Sequence, residues 1–232
     1  MTHRNRPGRF LLPGLALLAA LGVGLPVGAD EEPARREAGL RTGSVAGSVA
    51  LDLQPPRRTA RRYARGTPPA RAVQSIPVVV WVKGSAGNAR PPSTPPVVTQ
   101  RDTAFVPAAI VVPVGTTVRF PNGDDFFHNV FSYSGPARFD LGRYPRGDSK
   151  DVTFDEPGVV KIYCEVHEFM RAAVVVTENP WYALVGDDGS YRIDGIPAGR
   201  HTLVFWHADL GEVERTVDVT DGGVTRLDVE IG

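Results

Sequence analysis

Cys164 opens the heptad Cys164-Glu165-Val166-His167-Glu168-Phe169-Met170 and is the only cysteine among 232 residues. Met170 is the only methionine other than Met1. A thiol, an imidazole and a thioether therefore follow one another at intervals of three residues. Soft sulfur donors combined with imidazole are what a copper ion needs if it is to be stable as both Cu(I) and Cu(II). A further strong ligand must come from elsewhere, and His128, in Phe126-Phe127-His128-Asn129-Val130-Phe131-Ser132, is the candidate. Two nitrogens and a thiolate make a trigonal plane, and Met170 adds a weak axial thioether. That set belongs to blue-copper electron-transfer sites.

A lone cysteine or methionine is ordinarily apolar filler. Here the two coincide at ligand spacing after a strand, with a histidine motif upstream, which favours a metal. Zinc accepts the same nitrogens and thiolate, but methionine is a poor zinc ligand. Asn129 is placed to hydrogen-bond the ligand sulfur. Phe126, Phe127, Phe131 and Phe169 are placed to keep water out while one histidine edge stays near the surface. Asp124 and Asp125 read as turn residues, and Glu165 and Glu168 as solvated surface. His201 and His207 fall on one face of a strand but about 20 Å apart, too far to share an ion, and read as structural. With no second cysteine, no further histidine cluster and no Ser-His-Asp pattern, the expectation is a protein that is not an enzyme.

These ligands need rigid elements to aim them, and the sequence reads as all-β. Valine is frequent, helical periodicity is weak and turn residues recur at short intervals. Glycine and proline number 25 and 21, enough to break most helices. Strands are expected near 44–53, 76–83, 97–100, 103–112, 114–120, 150–154, 158–163 and 172–177. Those at 150–154 and 158–163 read as a hairpin closed by Glu156-Pro157-Gly158, delivering Cys164 at its end. Glu178-Asn179-Pro180 marks a boundary. Beyond it, strands are expected near 181–185, 190–193, 199–207, 213–220 and 223–231, a second small β-sandwich.

Residues 1–29 read as a secretory signal peptide. Arg4, Arg6 and Arg9 precede an apolar run from Phe10 to about Val23, and Val27-Gly28-Ala29 offers a cleavage site. Export to the periplasm is therefore expected. An exported chain with one cysteine forms no internal disulfide, and metal coordination protects a thiolate that would otherwise oxidise. Residues 30–43 read as a flexible N-terminus. Residues 54–75 hold Arg57, Arg58, Arg61, Arg62, Arg65 and Arg71 and no acid. They read as a mobile loop, with weak contact to an acidic protein or an anionic membrane face as its sharper use. Nucleic acid is not an expected partner.

The segment around the ligands resembles the cupredoxins. Cys164-x-x-His167-x-x-Met170 matches the short ligand loop of the amicyanin type, Arg171-Ala-Ala-Val-Val-Val its return strand, and His128-Asn129-Val130 its upstream ligand segment. The resemblance implies a Greek-key β-sandwich over 44–178 with one type 1 copper ion at one end. His128, Cys164 and His167 would be equatorial ligands, Met170 the axial one and His167 the exposed electron port. Residues 179–232 resemble transthyretin-like or carboxypeptidase regulatory-like modules through Asp-Gly-Ser-Tyr-Arg-Ile and Gly-Ile-Pro-Ala-Gly-Arg. The whole resembles exported plastocyanin-like proteins of the methylamine-utilisation type. A single-electron carrier serving a periplasmic protein redox partner is the function this implies. A copper-handling or copper-sensing protein, or a β-sandwich scaffold with a non-redox site, are the alternatives.

Overall fold

The computed structural model describes residues 41–53, 73–84, 87 and 89–232. The signal segment, residues 30–40 and most of the Arg-rich loop lie outside the described residues. From Arg41 on, the chain belongs to one compact unit. The described residues are all-β, as the sequence implies, and form seventeen strands.

The strands are β1 (Thr42–Leu51), β2 (Val79–Val82), β3 (Thr99–Arg101), β4 (Ala104–Val106), β5 (Ala109–Pro113) and β6 (Thr116–Pro121). β7 (His128–Ser134), β8 (Ala137–Tyr144), β9 (Ser149–Phe154), β10 (Gly158–Tyr163) and β11 (Arg171–Thr177) follow. The C-terminal part adds β12 (Tyr182–Leu184), β13 (Ser190–Pro197), β14 (Gly199–His207), β15 (Gly211–Val219), β16 (Val224–Arg226) and β17 (Val229–Ile231).

They stack as successive layers. A five-stranded sheet runs β5-β11-β10-β7-β8, and the β6–β9 and β3–β4 pairs pack on its inner face. This is the sandwich that holds the ligands. Its core is built by Val118 and Phe120 of β6, Phe154 of β9, Val160 and Ile162 of β10 and Val174 of β11. Each large apolar side chain so buried contributes roughly 1.5–3 kcal/mol. A second sandwich joins the sheet β12-β2-β14-β15 to the sheet built on β1, β13, β16 and β17. Val45, Val80, Ile193, Leu203 and Phe205 are among its core residues.

The boundaries differ from those expected. β1 and β2 precede the ligand sandwich in sequence but pair with C-terminal strands. β1 is antiparallel to β13 and parallel to β16 and β17. β2 lies between β12 and β14. A domain running from residue 44 to 178 is thus not one hydrogen-bonded body, because these two strands complete the second sandwich. Strand pairing is non-local, and local pattern identifies a strand without naming its neighbour.

The expected hairpin of 150–154 with 158–163 is also corrected. β9 pairs with β6, whereas β10 pairs with β11 and β7. Pro157 and Gly158, the latter at φ +134°, turn the chain from one layer into the other. Two strands that the sequence pattern does not announce, β7 and β8, form a hairpin. Their polar and aromatic residues mask the alternation that marks a half-buried strand.

Candidate metal centre

The site is assembled from three places in the ligand sandwich. His128 is the first residue of β7, Cys164 follows β10 directly, and His167 lies in the loop from β10 to β11. Their donor atoms all lie within 4.8 Å of one another. Nδ1 of His128 is 3.6 Å from Sγ of Cys164 and 3.3 Å from Nδ1 of His167. His128 is wholly buried and Cys164 is 2% exposed. His167 is half-buried.

Met170 is also wholly buried and belongs to the same apolar cluster as Cys164. Its N–H donates to the carbonyl of His167 at 2.9 Å. A tight turn therefore spans residues 167–170. The structure thus gathers His128, Cys164 and His167, with Met170 ending the loop that carries Cys164 and His167.

Local hydrogen bonds set His128. Asn122 ends the β6 turn, and its side-chain oxygen accepts from Asp124 N–H at 2.9 Å, an Asx-turn. Its amide donates to the carbonyls of Phe126 and Tyr144 at 2.9 and 3.0 Å. Those bonds fix the loop that launches β7. Opposite His128, Tyr144 is its β-sheet partner. Burial pushes the Tyr144 hydroxyl well above its ordinary value, so it stays a neutral donor. It donates to the Phe120 carbonyl at 2.9 Å.

Asp124, which the sequence pattern places in a turn, meets His128. Its carboxylate stands 2.8 Å from Nε2 of His128. It also accepts the backbone N–H of Asp102 at 2.7 Å and of Thr103 at 2.9 Å. Those two residues form the β3–β4 turn at φ +54° and +57°, a left-handed conformation that normally favours Asn or Gly. Burial by itself would raise the carboxyl's pKa. The hydrogen bonds from Thr103, His128 and Asp102 outweigh it, and the group is held below its ordinary value. An ionised Asp124 accepts the Nε2 proton and leaves Nδ1 free as the donor that faces Cys164 and His167. A carboxylate–histidine pair of this kind fixes the tautomer and strengthens the ligand. A signal was present in the sequence, since Asp124 lies four residues before His128, but only the loop's path brings the groups together.

Asn129 behaves differently from expectation. Its side-chain oxygen accepts the N–H of Glu165 at 2.7 Å, tying the residue after Cys164 to β7. Glu165 in turn accepts from Arg143 at 2.6 Å on the surface. Among the phenylalanines, Phe126 lies against both His128 and His167, with ring centroids 5.0 and 5.4 Å away. Phe169 lies 5.6 Å from His167. Phe131 packs with Tyr133 and Tyr163 instead. Phe126 is 44% exposed, so it forms a rim beside His167 rather than a seal, and Phe127 is 55% exposed. His201 and His207 stand apart from the centre. His201 is 2.7 Å from the carbonyl of Pro197, and His207 is buried beside Asp209.

The donors fit a metal by their chemistry and spacing. Two imidazole nitrogens and a thiol, gathered within 4.8 Å of one another, are spaced as atoms bound to one ion through bonds of roughly 2.0 Å to nitrogen and 2.3 Å to sulfur. The buried thioether of Met170, in the same cluster as Cys164, is a soft donor of the kind that favours copper over harder ions.

Residues 96–177 match the family of copper binding proteins that comprises plastocyanin and azurin. Every one of the four candidate ligands falls inside that segment. Among solved structures, the chain is similar to a copper-containing nitrite reductase from Thermus scotoductus. The two share 27% identity over 43% of this chain and 26% of that one, with a TM-score of 0.36. The chain therefore spans about a quarter of that enzyme's length. It is similar to a purple cupredoxin from Nitrosopumilus maritimus at 26% identity over 35% of this chain and 99% of that one, with a TM-score of 0.33. A reduced amicyanin variant shares 25% identity over 42% of this chain and 98% of its own, with a TM-score of 0.35. No curated protein matches the chain.

Proposed function

We propose that this protein is an exported type 1 copper protein that carries single electrons between protein redox partners in the periplasm. The observation that carries the reading is the convergence of His128, Cys164 and His167 within 4.8 Å, beside the buried Met170. Copper held by these four side chains would supply a one-electron couple.

The chain's own residues do the rest. Asp124 orients His128 through Nε2, so that Nδ1 faces Cys164 and His167. Asn129 and the β7–β10 pairing fix the position of Cys164 against it. The 167–170 turn sets His167 and Met170 together. Donors held this firmly move little between oxidation states, which keeps the reorganisation cost of electron transfer low. His167 is the half-buried member of the set, and the rings of Phe126 and Phe169 flank it. An apolar rim around a partly exposed ligand supports transient contact with a redox partner. Two histidines, a thiol and a thioether already fill the coordination set this reading assigns, which favours a carrier over an enzyme with an open coordination position. Export rests on residues 1–29, whose pattern is that of a signal peptide.

The test is a visible absorption and EPR spectrum of the mature protein with one equivalent of Cu(II). An intense thiolate-to-copper band with a small parallel hyperfine splitting is expected. A weak d–d band alone, or copper that washes off, would refute the electron-carrier reading and favour copper handling.

A further inference from the structure

The strand that leaves the ligand loop is buried on both faces. In a two-layer sandwich β11 would turn one face to the core and the other to water. Here Ala172, Val174 and Val176 face the ligand core, while Ala173 and Val175 pack on Ile76, Val79 and Trp206 of the second sandwich. Six of its seven residues are fully buried. The run Ala-Ala-Val-Val-Val is the pattern of a strand covered on both sides.

Polar contacts tie the start of that strand down further. The two residues that flank Met170 are both held from outside the ligand sandwich's own strands. Gln74, in the segment leading into β2, donates its N–H to the Phe169 carbonyl at 3.1 Å. Its carbonyl accepts Nε of Arg171 at 2.8 Å. Its side-chain amide bridges both backbone groups of Phe105, at 2.5 and 3.0 Å. Arg171 also makes a bidentate pair with Asp209, in the β14–β15 turn, at 2.5 and 2.7 Å. Arg171 is 20% exposed in its side chain, so the pair is partly screened from water. Two parallel N–H···O bonds of this kind are directional as well as strong.

We infer that Gln74, Arg171 and Asp209 are positioning residues for Met170, and that the C-terminal sandwich is the scaffold of the ligand loop. This rests on the copper reading for its consequence but not for its geometry. The second sandwich and the segment entering it clamp Phe169 and Arg171, so the thioether between them has one place to sit. A loop of this length anchored only by its own sandwich would let Met170 move, and its strength as an axial ligand would vary.

The experiment replaces Asp209 in the full chain, as D209A and as D209E. In the metal-free protein, the amides of residues 169–172 are expected to exchange about tenfold faster in D209A, the equivalent of losing one charge-assisted hydrogen bond. D209E is expected to restore most of the protection. After copper loading, D209A is expected to shift the reduction potential while keeping the thiolate band. R171K, which keeps the charge but loses the bidentate geometry, is expected to act like D209A and decides the matter if D209A does not fold. Native exchange at 169–172 together with a native potential in these variants would overturn the inference. A wild-type protein that forms no type 1 site would instead refute the copper reading, and the metal-free exchange would still judge the scaffold.

Discussion

Asp124 shows how a carboxylate outside the candidate ligand set orients a histidine inside it. It holds the Nε2 side of His128 at 2.8 Å and is itself held by two backbone N–H groups. An anionic partner makes the imidazole a better donor to Cu(II) than to Cu(I). D124N should weaken Cu(II) binding about 10–100-fold and raise the reduction potential, read by competition titration and voltammetry. Wild-type affinity in that variant would show that the contact is only structural. On the proposed reading Met170 would act on the other side of the couple, since a thioether favours Cu(I). M170Q should keep the intense colour and lower the potential; an unchanged potential would remove Met170 from the axial position.

Among the elements, β1 is the most tightly constrained by its neighbours. It lies between β13 and the two C-terminal strands β16 and β17. At Gly47 a β-carbon would come within 1.9 Å of the Leu227 carbonyl oxygen. That oxygen belongs to backbone and cannot swing away. G47A should therefore destabilise the protein by about 1–3 kcal/mol, measured by urea unfolding. A loss below the error of that measurement would mean that the segment around Leu227 is loose enough to move aside. The turn of β3–β4 makes a complementary point. Its two left-handed residues cost of order 1–3 kcal/mol each, and the Asp124 carboxylate that accepts their N–H groups offsets that strain while orienting His128.

The stacking of two sandwiches through β11 joins parts of the molecule that the sequence separates. Because the layers share buried faces, urea should unfold residues 41–232 in one cooperative transition by both fluorescence and circular dichroism. Two separated transitions would show that the sandwiches are independent. His207 sits at the joint, next to Trp206 and Asp209. Burial pushes its pKa below the ordinary 6.5, with Arg171 adding to the effect and Asp209 opposing it. A lowered value means that the folded state favours neutral imidazole. The stability this gives is present above about pH 6.5 and is lost as pH falls through the folded-state value. Urea midpoints should thus decline on mild acidification, and H207Q should flatten that decline. An equal slope in the variant would place the pH dependence on other groups.

The donor types were legible in the sequence because ligand chemistry is local. One thiol, one thioether and one imidazole at intervals of three residues name a copper site by composition and spacing, and the strand before them sets their direction. The all-β class was legible too, since turn residues and valine-rich runs reflect backbone preference within a few residues. The partners of each strand were not. β1 and β2 belong with strands more than a hundred residues later, and β9 and β10 belong to different layers, because pairing depends on which faces must be buried together. Asp124 looked like a turn residue for the same reason. Its role depends on a loop closed by Asn122 and a turn supplied by Asp102 and Thr103, and only the tertiary structure decides that its carboxylate meets His128.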